Sequence, residues 1–324
     1  MPSLYPLRFK PLFRRYLWGG RRLGTVLNKP IGPGDDYAES WEIVDHGRDQ
    51  SVVECGPLRD MSLGELGTQY GPELFGRHAP QGSFPLLFKF LDATRVLSVQ
   101  VHPNDAQAAR LDPPDLGKTE AWFVIHADPG SLIYAGLGAG VDRQAFQAAI
   151  DAGQTESCLH RFPVQAGDCV FIPAGTVHAL GAGLVIAEIQ QASDTTFRLF
   201  DWNRVGSDGR PRPLHIQAGL DVIDFERGPV QRQVPQPTAS PSVQRLVACS
   251  KFVLDRRQLR QAETIGGDGR FHVLAVLEGC VVLADAPSEE PLERGQTLLL
   301  PAAIGATLVT PRAPATLLDI YLPF

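Results

Sequence analysis

Apolar positions along this chain come in short runs of strand length. PLLFKFLDA, RVLSVQVH, EAWFVIHA, SLIYAGL, DCVFIPA, LVIAEIQQ and TTFRLFDW are rich in β-branched and aromatic residues, and each ends at turn-forming residues. Gly (32) and Pro (27) recur at short intervals, which is the rhythm of an all-β protein with only minor helices. Two stretches break it. SLGELGTQYGPELFG near 62–76 and DRQAFQAAIDAG at 142–153 predict short helices, the second with Asp142 as N-cap and Gly153 as C-terminal stop.

The segment GPVQRQVPQPTASPS, 228–242, has four Pro and almost no apolar periodicity, and reads as a linker. It divides the chain into a first domain over 1–227, with N-terminal strands and short helical insertions, and a C-terminal domain over 243–324. Strand–turn–strand patterning repeats beyond it. A G-x5-P spacing occurs as Gly167 to Pro173 and again as Gly295 to Pro301, but only the first copy is followed by a His. The second domain is therefore expected to be a relative of the first without metal ligands.

Composition narrows the class. A chain of 324 residues suits two domains. Its formal charge of −6 and lack of a Lys/Arg cluster argue against nucleic acid as a partner. Five scattered Cys without a CxxC pair indicate neither a disulfide framework nor a thiolate metal site, and read as core thiols in a reducing compartment. The opening MPSLYPLRFK carries no apolar leader, and no window is long and apolar enough to span a membrane, so a cytoplasmic protein without membrane contact is expected.

The candidate chemistry gathers on three segments. Gln100 and His102, alternate residues of one predicted strand, share a face. Glu120 opens the next strand after a loop. In GDCVFIPAGTVHAL a strand runs into a Pro/Gly turn, and the returning strand directs His178 inward. Two imidazoles, a carboxylate and an amide oxygen suit Zn²⁺ or another borderline divalent ion. A lone buried His such as His102 is more often a hydrogen-bonded core residue. The joint order Q-x-H, K-x-E, P-x-G-x2-H favours the metal reading, and the His at 46, 78, 126, 160, 215 and 272 fit no motif and read as structural.

The spacing G-x5-P-x-G-x2-H resembles the second motif of the cupins, which implies two jelly-roll β-barrels, a double cupin with the first barrel metal-binding and the second degenerate. LSVQVHPND, GKTEAWFVI, PAGTVHALG and SDTTFR further resemble the signature segments of the type I phosphomannose (mannose-6-phosphate) isomerases in their short bacterial form, as do YLWGG and AESWE nearer the N-terminus. The resemblance covers roughly residues 5–225 and departs at Leu180, where many relatives have an aromatic residue, and at DWNR, Asp201 to Arg204, which is typical only of the short form. It implies a zinc enzyme, one ion per chain, interconverting mannose 6-phosphate and fructose 6-phosphate. On that footing Gln100, His102, Glu120 and His178 hold the metal, while Lys118, Glu188, Asp194 and Arg198 line the active site.

The chemistry of such a reaction agrees. Moving a carbonyl between C1 and C2 passes through an enediolate whose charge needs a Lewis acid, and a base must carry the proton. Lys118, Glu188 and Asp194 are candidates for the base. Arg198 is a fixed cation for the oxyanion, with a rim salt bridge as its bland alternative. A remote phosphate must also be gripped, and Lys89, Ser98 and Arg204 are the candidates. Lys89 as an ordinary strand charge and Trp18 as a core aromatic, not a wall of the sugar pocket, are the competing readings. Expected partners are a small sugar phosphate and, at most, a second copy of the chain in a homodimer. An iron-dependent cupin dioxygenase would more often show H-x-H in the first motif, and a non-catalytic sugar-phosphate sensor would be expected to lose ligands or Lys118.

Overall fold

The computed structural model describes residues 2–206, 209–288 and 290–324. Strands dominate it, arranged as two units of two sheets each, followed outward by short helices. In the first unit a six-stranded sheet runs in the order Cys169–Ile172, Glu120–Ala127, Leu184–Gln191, Leu86–Ala93, Tyr37–Ile43, Leu12–Gly20. It faces a five-stranded sheet ordered Leu159–Pro163, Leu132–Leu137, His178–Leu180, Val99–Val101, Phe197–Phe200. The second unit pairs an eight-stranded with a four-stranded sheet. Among the described residues no sheet closes on itself, so each expected barrel is a sandwich with open edges.

The apolar runs follow from how these sheets stack. Every residue of Leu86–Ala93 is buried, because both faces of its sheet are covered. Phe88 and Phe90 join Phe123 and Ile189 in a core shared with Val273, Ala275, Leu318 and Ile320 of the second unit. Leu91 and Ala93 turn the other way, into the interior of the first sandwich with Trp122, Val124, Leu180 and Ile186. The two large sheets thus meet back to back, and the first sandwich is left to build a site between its own sheets.

The chain crosses between units more than the linear division suggested. Strand Leu7–Lys10 pairs Leu7 with Leu299 at the edge of the second unit's large sheet, and Phe9 with Val53. Helix Leu63–Phe75, capped by a Ser62/Glu65 capping box, packs Phe75 against Phe84 and Phe271. In the expected linker, the Val230 N–H donates to the Ala135 carbonyl and that of Gln233 to the Cys169 carbonyl, so this stretch runs along the first unit. Helix Arg143–Asp151 begins where expected, with the Asp142 side chain accepting from the Ala145 N–H. Of the five free cysteines only Cys169 is buried, which corrects the reading of all five as core thiols. Among the described residues no helix is long and apolar enough to cross a membrane.

Candidate metal centre and cleft

Strand register brings the motif residues together. His178 lies directly opposite Gln100, and Arg198 lies opposite Gln100 from the other side, so three adjacent strands of the small sheet present one row of polar side chains. Alternation sends Val99 and Val101 to the outer face, where they pack with Phe146 and Leu220. Across the sandwich the large sheet presents a second row. Glu120 opposes Gln190, and Trp122, Glu188 and Lys89 sit side by side on neighbouring strands.

At the end of these rows His102, Glu120 and His178 converge, all buried, with one ligand atom from each within 4.8 Å of the others. The His102 Nε2 lies 3.6 Å from Glu120 Oε2, and the His178 Nε2 lies 3.3 Å from Glu120 Oε1. Both rings are oriented from behind. The His102 Nδ1 is 2.9 Å from the Thr195 carbonyl, and the His178 Nδ1 is 2.9 Å from the Thr176 carbonyl. A carbonyl can only accept, so each Nδ1 carries the proton and each Nε2 turns a lone pair inward. The Gln100 amide is 3.2 Å from His178 Nε2. The contacting atom is the amide nitrogen, so the oxygen would face that ring only after the amide turns over.

Electrostatics define the donor set. Burial, with Lys118 and His178 nearby, drives the His102 imidazolium well below its ordinary range, and burial with Lys118 beside it lowers His178 to about 4. Burial and the neighbouring Glu188 push the Glu120 carboxyl up to about 8, against Lys118 at 3.7 Å and Lys89. The His102 Nε2 and both Glu120 oxygens are buried without a hydrogen-bond partner. Unpaired buried acceptors are costly, and two neutral imidazoles facing a carboxyl group, which a divalent cation would hold ionised, form a donor set that such a cation satisfies. The residues fit a metal ion.

Next to the triad, whose His178 touches the cleft residues Gln100 and Trp122, opens a cleft of about 350 Å³ lined by residues of both rows, among them Trp18, Ser98, Glu188, Asp194 and Arg198. Trp18 forms its wall, stacked on Tyr16 with ring centroids 5.5 Å apart. Lys118 stays behind Glu120, off the cleft lining. Lys89 lines the cleft but is buried between Glu188 at 3.2 Å and Glu39 at 3.7 Å. Burial would lower the Lys89 ammonium, yet Glu188 and Glu39 override it and hold it above its usual value. Burial would likewise raise Glu188, but Lys89 and Lys118 hold it down as a carboxylate, and Trp122 donates to it at 3.1 Å. A lysine so neutralised is poorly suited to grip a phosphate dianion.

Arg204 stands outside the cleft altogether. Its donors are used on Asp201 and on the carbonyls of Asp201 and Val96, and it borders an adjoining apolar hollow. Arg212, not singled out in the sequence, takes its place at the cleft wall, held by Asp201 at 2.6 and 2.7 Å. Arg198 lies at the cleft with its Nε buried and unpartnered, its backbone N–H on His215 and one guanidinium N–H on the Pro213 carbonyl. Glu39, Trp122, Thr196 and Arg212 also escaped the sequence reading. Trp122 alone had a signal, since it follows Glu120 by two and must share its face.

Comparison with known proteins gives this geometry a family. Residues 7–128 match the family model described as phosphomannose isomerase type I, catalytic domain. The chain is 34% identical over 301 residues to the mannose-6-phosphate isomerase ManA of Bacillus subtilis, covering 93% of this chain and 94% of that one. It is 35% identical over 301 residues to the mannose-6-phosphate isomerase of Streptococcus mutans, covering 92% and 93%. A crystal structure of the mannose 6-phosphate isomerase from Bacillus subtilis superimposes with a TM-score of 0.90 at 28% identity, covering 98% of this chain and all of the other.

Proposed function

Because the chain belongs to the type I phosphomannose isomerases, we propose that it is a metal-dependent aldose–ketose isomerase that interconverts mannose 6-phosphate and fructose 6-phosphate. The observation that carries this reading is the buried triad beside the polar cleft, in which the His102 Nε2 and both Glu120 oxygens lack hydrogen-bond partners and one ligand atom from each residue lies within 4.8 Å of the others. The ion is taken as zinc, one per chain, held by His102, Glu120 and His178 with Gln100 as fourth ligand. When bound, it supplies a Lewis acid for the negative charge that develops on the two reacting sugar oxygens.

The chain's own residues do the rest. Trp18 offers an aromatic face to the sugar's apolar side. Proton movement between C1 and C2 falls to the titratable groups of the cleft, the ion-paired Glu188 and Lys89 and the carboxylate Asp194. Lys118 instead tempers the charge of the ligand Glu120 from behind. Arg198, a lining guanidinium whose Nε–H is buried without a partner, holds the developing oxyanion, while Arg212 and Ser98 at the cleft wall take the phosphate end. A coupled assay on mannose 6-phosphate before and after chelation tests the proposal. Activity lost on chelation and restored by zinc is the expected result, and no turnover by the zinc-loaded protein would overturn it.

A further inference from the structure

Building on the metal reading above, we infer that Asp115 is a positioning residue that fixes the ligand His102 and the cleft carboxylate Asp194 through the loop Ser193–Thr195. Asp115 belongs to the loop between helix Asp105–Ala108 and strand Glu120–Ala127 and touches neither the triad nor the cleft. Its Oδ2 accepts from Ser193 Oγ at 2.8 Å and from Thr195 Oγ1 at 2.6 Å. Its Oδ1 accepts from the Leu116 N–H at 2.7 Å and faces His46 Nε2 at 3.2 Å. The Ser193 Oγ in turn accepts from the Thr195 N–H at 3.3 Å. One carboxylate therefore clamps both residues that flank Asp194.

The same clamp reaches the metal centre in one further step, because the Thr195 carbonyl is the acceptor for His102 Nδ1. That contact sets the tautomer and the ring angle of His102. Without it the ring can turn or carry its proton on Nε2, which faces the ion with a hydrogen instead of a lone pair. Only an acceptor with two free oxygens suits the position. Asparagine, with its oxygen toward the two hydroxyls, would set its NH₂ against the Leu116 N–H, donor against donor. Burial would raise the Asp115 carboxyl, but the Thr195 and Ser193 hydroxyls hold it below its ordinary range, so the clamp is an ionised acceptor.

The test is zinc affinity by chelator competition on the full chain, together with steady-state kinetics. Asp115→Asn is expected to weaken zinc binding by about 10- to 100-fold, lowering kcat more than it changes KM. Thr195→Val, which keeps the carbonyl and loses the hydroxyl, should weaken zinc binding less. Thr195→Ser should restore native affinity. If Asp115→Asn does not fold, the Thr195 pair carries the test. Native zinc affinity in both Asp115→Asn and Thr195→Val would overturn the inference, and a native chain that binds no zinc would overturn the metal reading beneath it.

Discussion

The two sandwiches carry buried polar side chains at matching positions and satisfy them in opposite ways. Glu120 pairs across its sheet with Ile172, the residue before Pro173, and His272 pairs with Leu300, the residue before Pro301. On the neighbouring strands Glu188 opposes Trp122 and Asp319 opposes Leu274, each two places beyond. In the second unit the matching His272 and Asp319 are closed by protein partners. His272 faces Asp319 at 2.7 Å through Nδ1 and Asp268 at 3.3 Å through Nε2, and Arg257 donates to Asp319 at 2.7 Å. In the first unit Glu188 is paired with Lys89, but both Glu120 oxygens and the neighbouring His102 Nε2 have no hydrogen-bond partner among the described residues.

The charge states follow. Burial alone would lower His272, but Asp319 and Asp268 raise it to about 9, whereas His178, equally buried, is lowered to about 4. A buried imidazole is thus a cation where carboxylates close on both its nitrogens and neutral where they do not. Burial does not separate a site from a scaffold. The completeness of the partner set does.

Replacement of His178 by Ala should break the first unit's side of this contrast most severely. An ion that stabilises a developing oxyanion contributes several kcal/mol, so turnover in the coupled assay should fall by roughly 1,000-fold or more, with the fold intact by circular dichroism. Asp319→Ala should do the reverse. It leaves the buried His272 and the partly buried Arg257 beside an empty position, and a urea titration should show a loss of about 3–5 kcal/mol, with native turnover per folded molecule. Results exchanged between these two variants would refute the division of labour.

Smaller effects sharpen it. Loss of a charge-assisted hydrogen bond of about 1.5–3 kcal/mol to the substrate phosphate predicts a KM raised about 10- to 100-fold in Arg212→Ala. Arg204→Ala should leave KM near native, since Arg204 faces Asp201 and backbone carbonyls outside the cleft. The gentlest test is pH. The folded His272 binds its proton up to about 9 and the unfolded one only to about 6.5, so its contribution is fully present below pH 6.5 and is lost as pH rises to 9. Thermal melts should show that decline, and His272→Gln should flatten it.

Much of the site was legible because strands encode direction locally. Alternation alone puts Gln100 with His102, and the Pro/Gly turn aims His178. The surroundings of the phosphate candidates Lys89 and Arg204 were not legible, because a cation's availability depends on the carboxylates that surround it, and those come from distant strands. Glu39 and Glu188 reach Lys89 from either side, and Asp201 holds Arg204 and Arg212 at once.

By itself the sequence determined the strand-rich class, the helix at 142–153, the ordered metal motifs and the family, since each rests on spacing within a few residues or on a run of them. Only the tertiary structure decided that strand Leu7–Lys10 completes the second unit, that Asp115 stands behind His102, and that His272 occupies the place of Glu120. These depend on register between strands far apart in the chain, and register is settled by the packing of whole sheets.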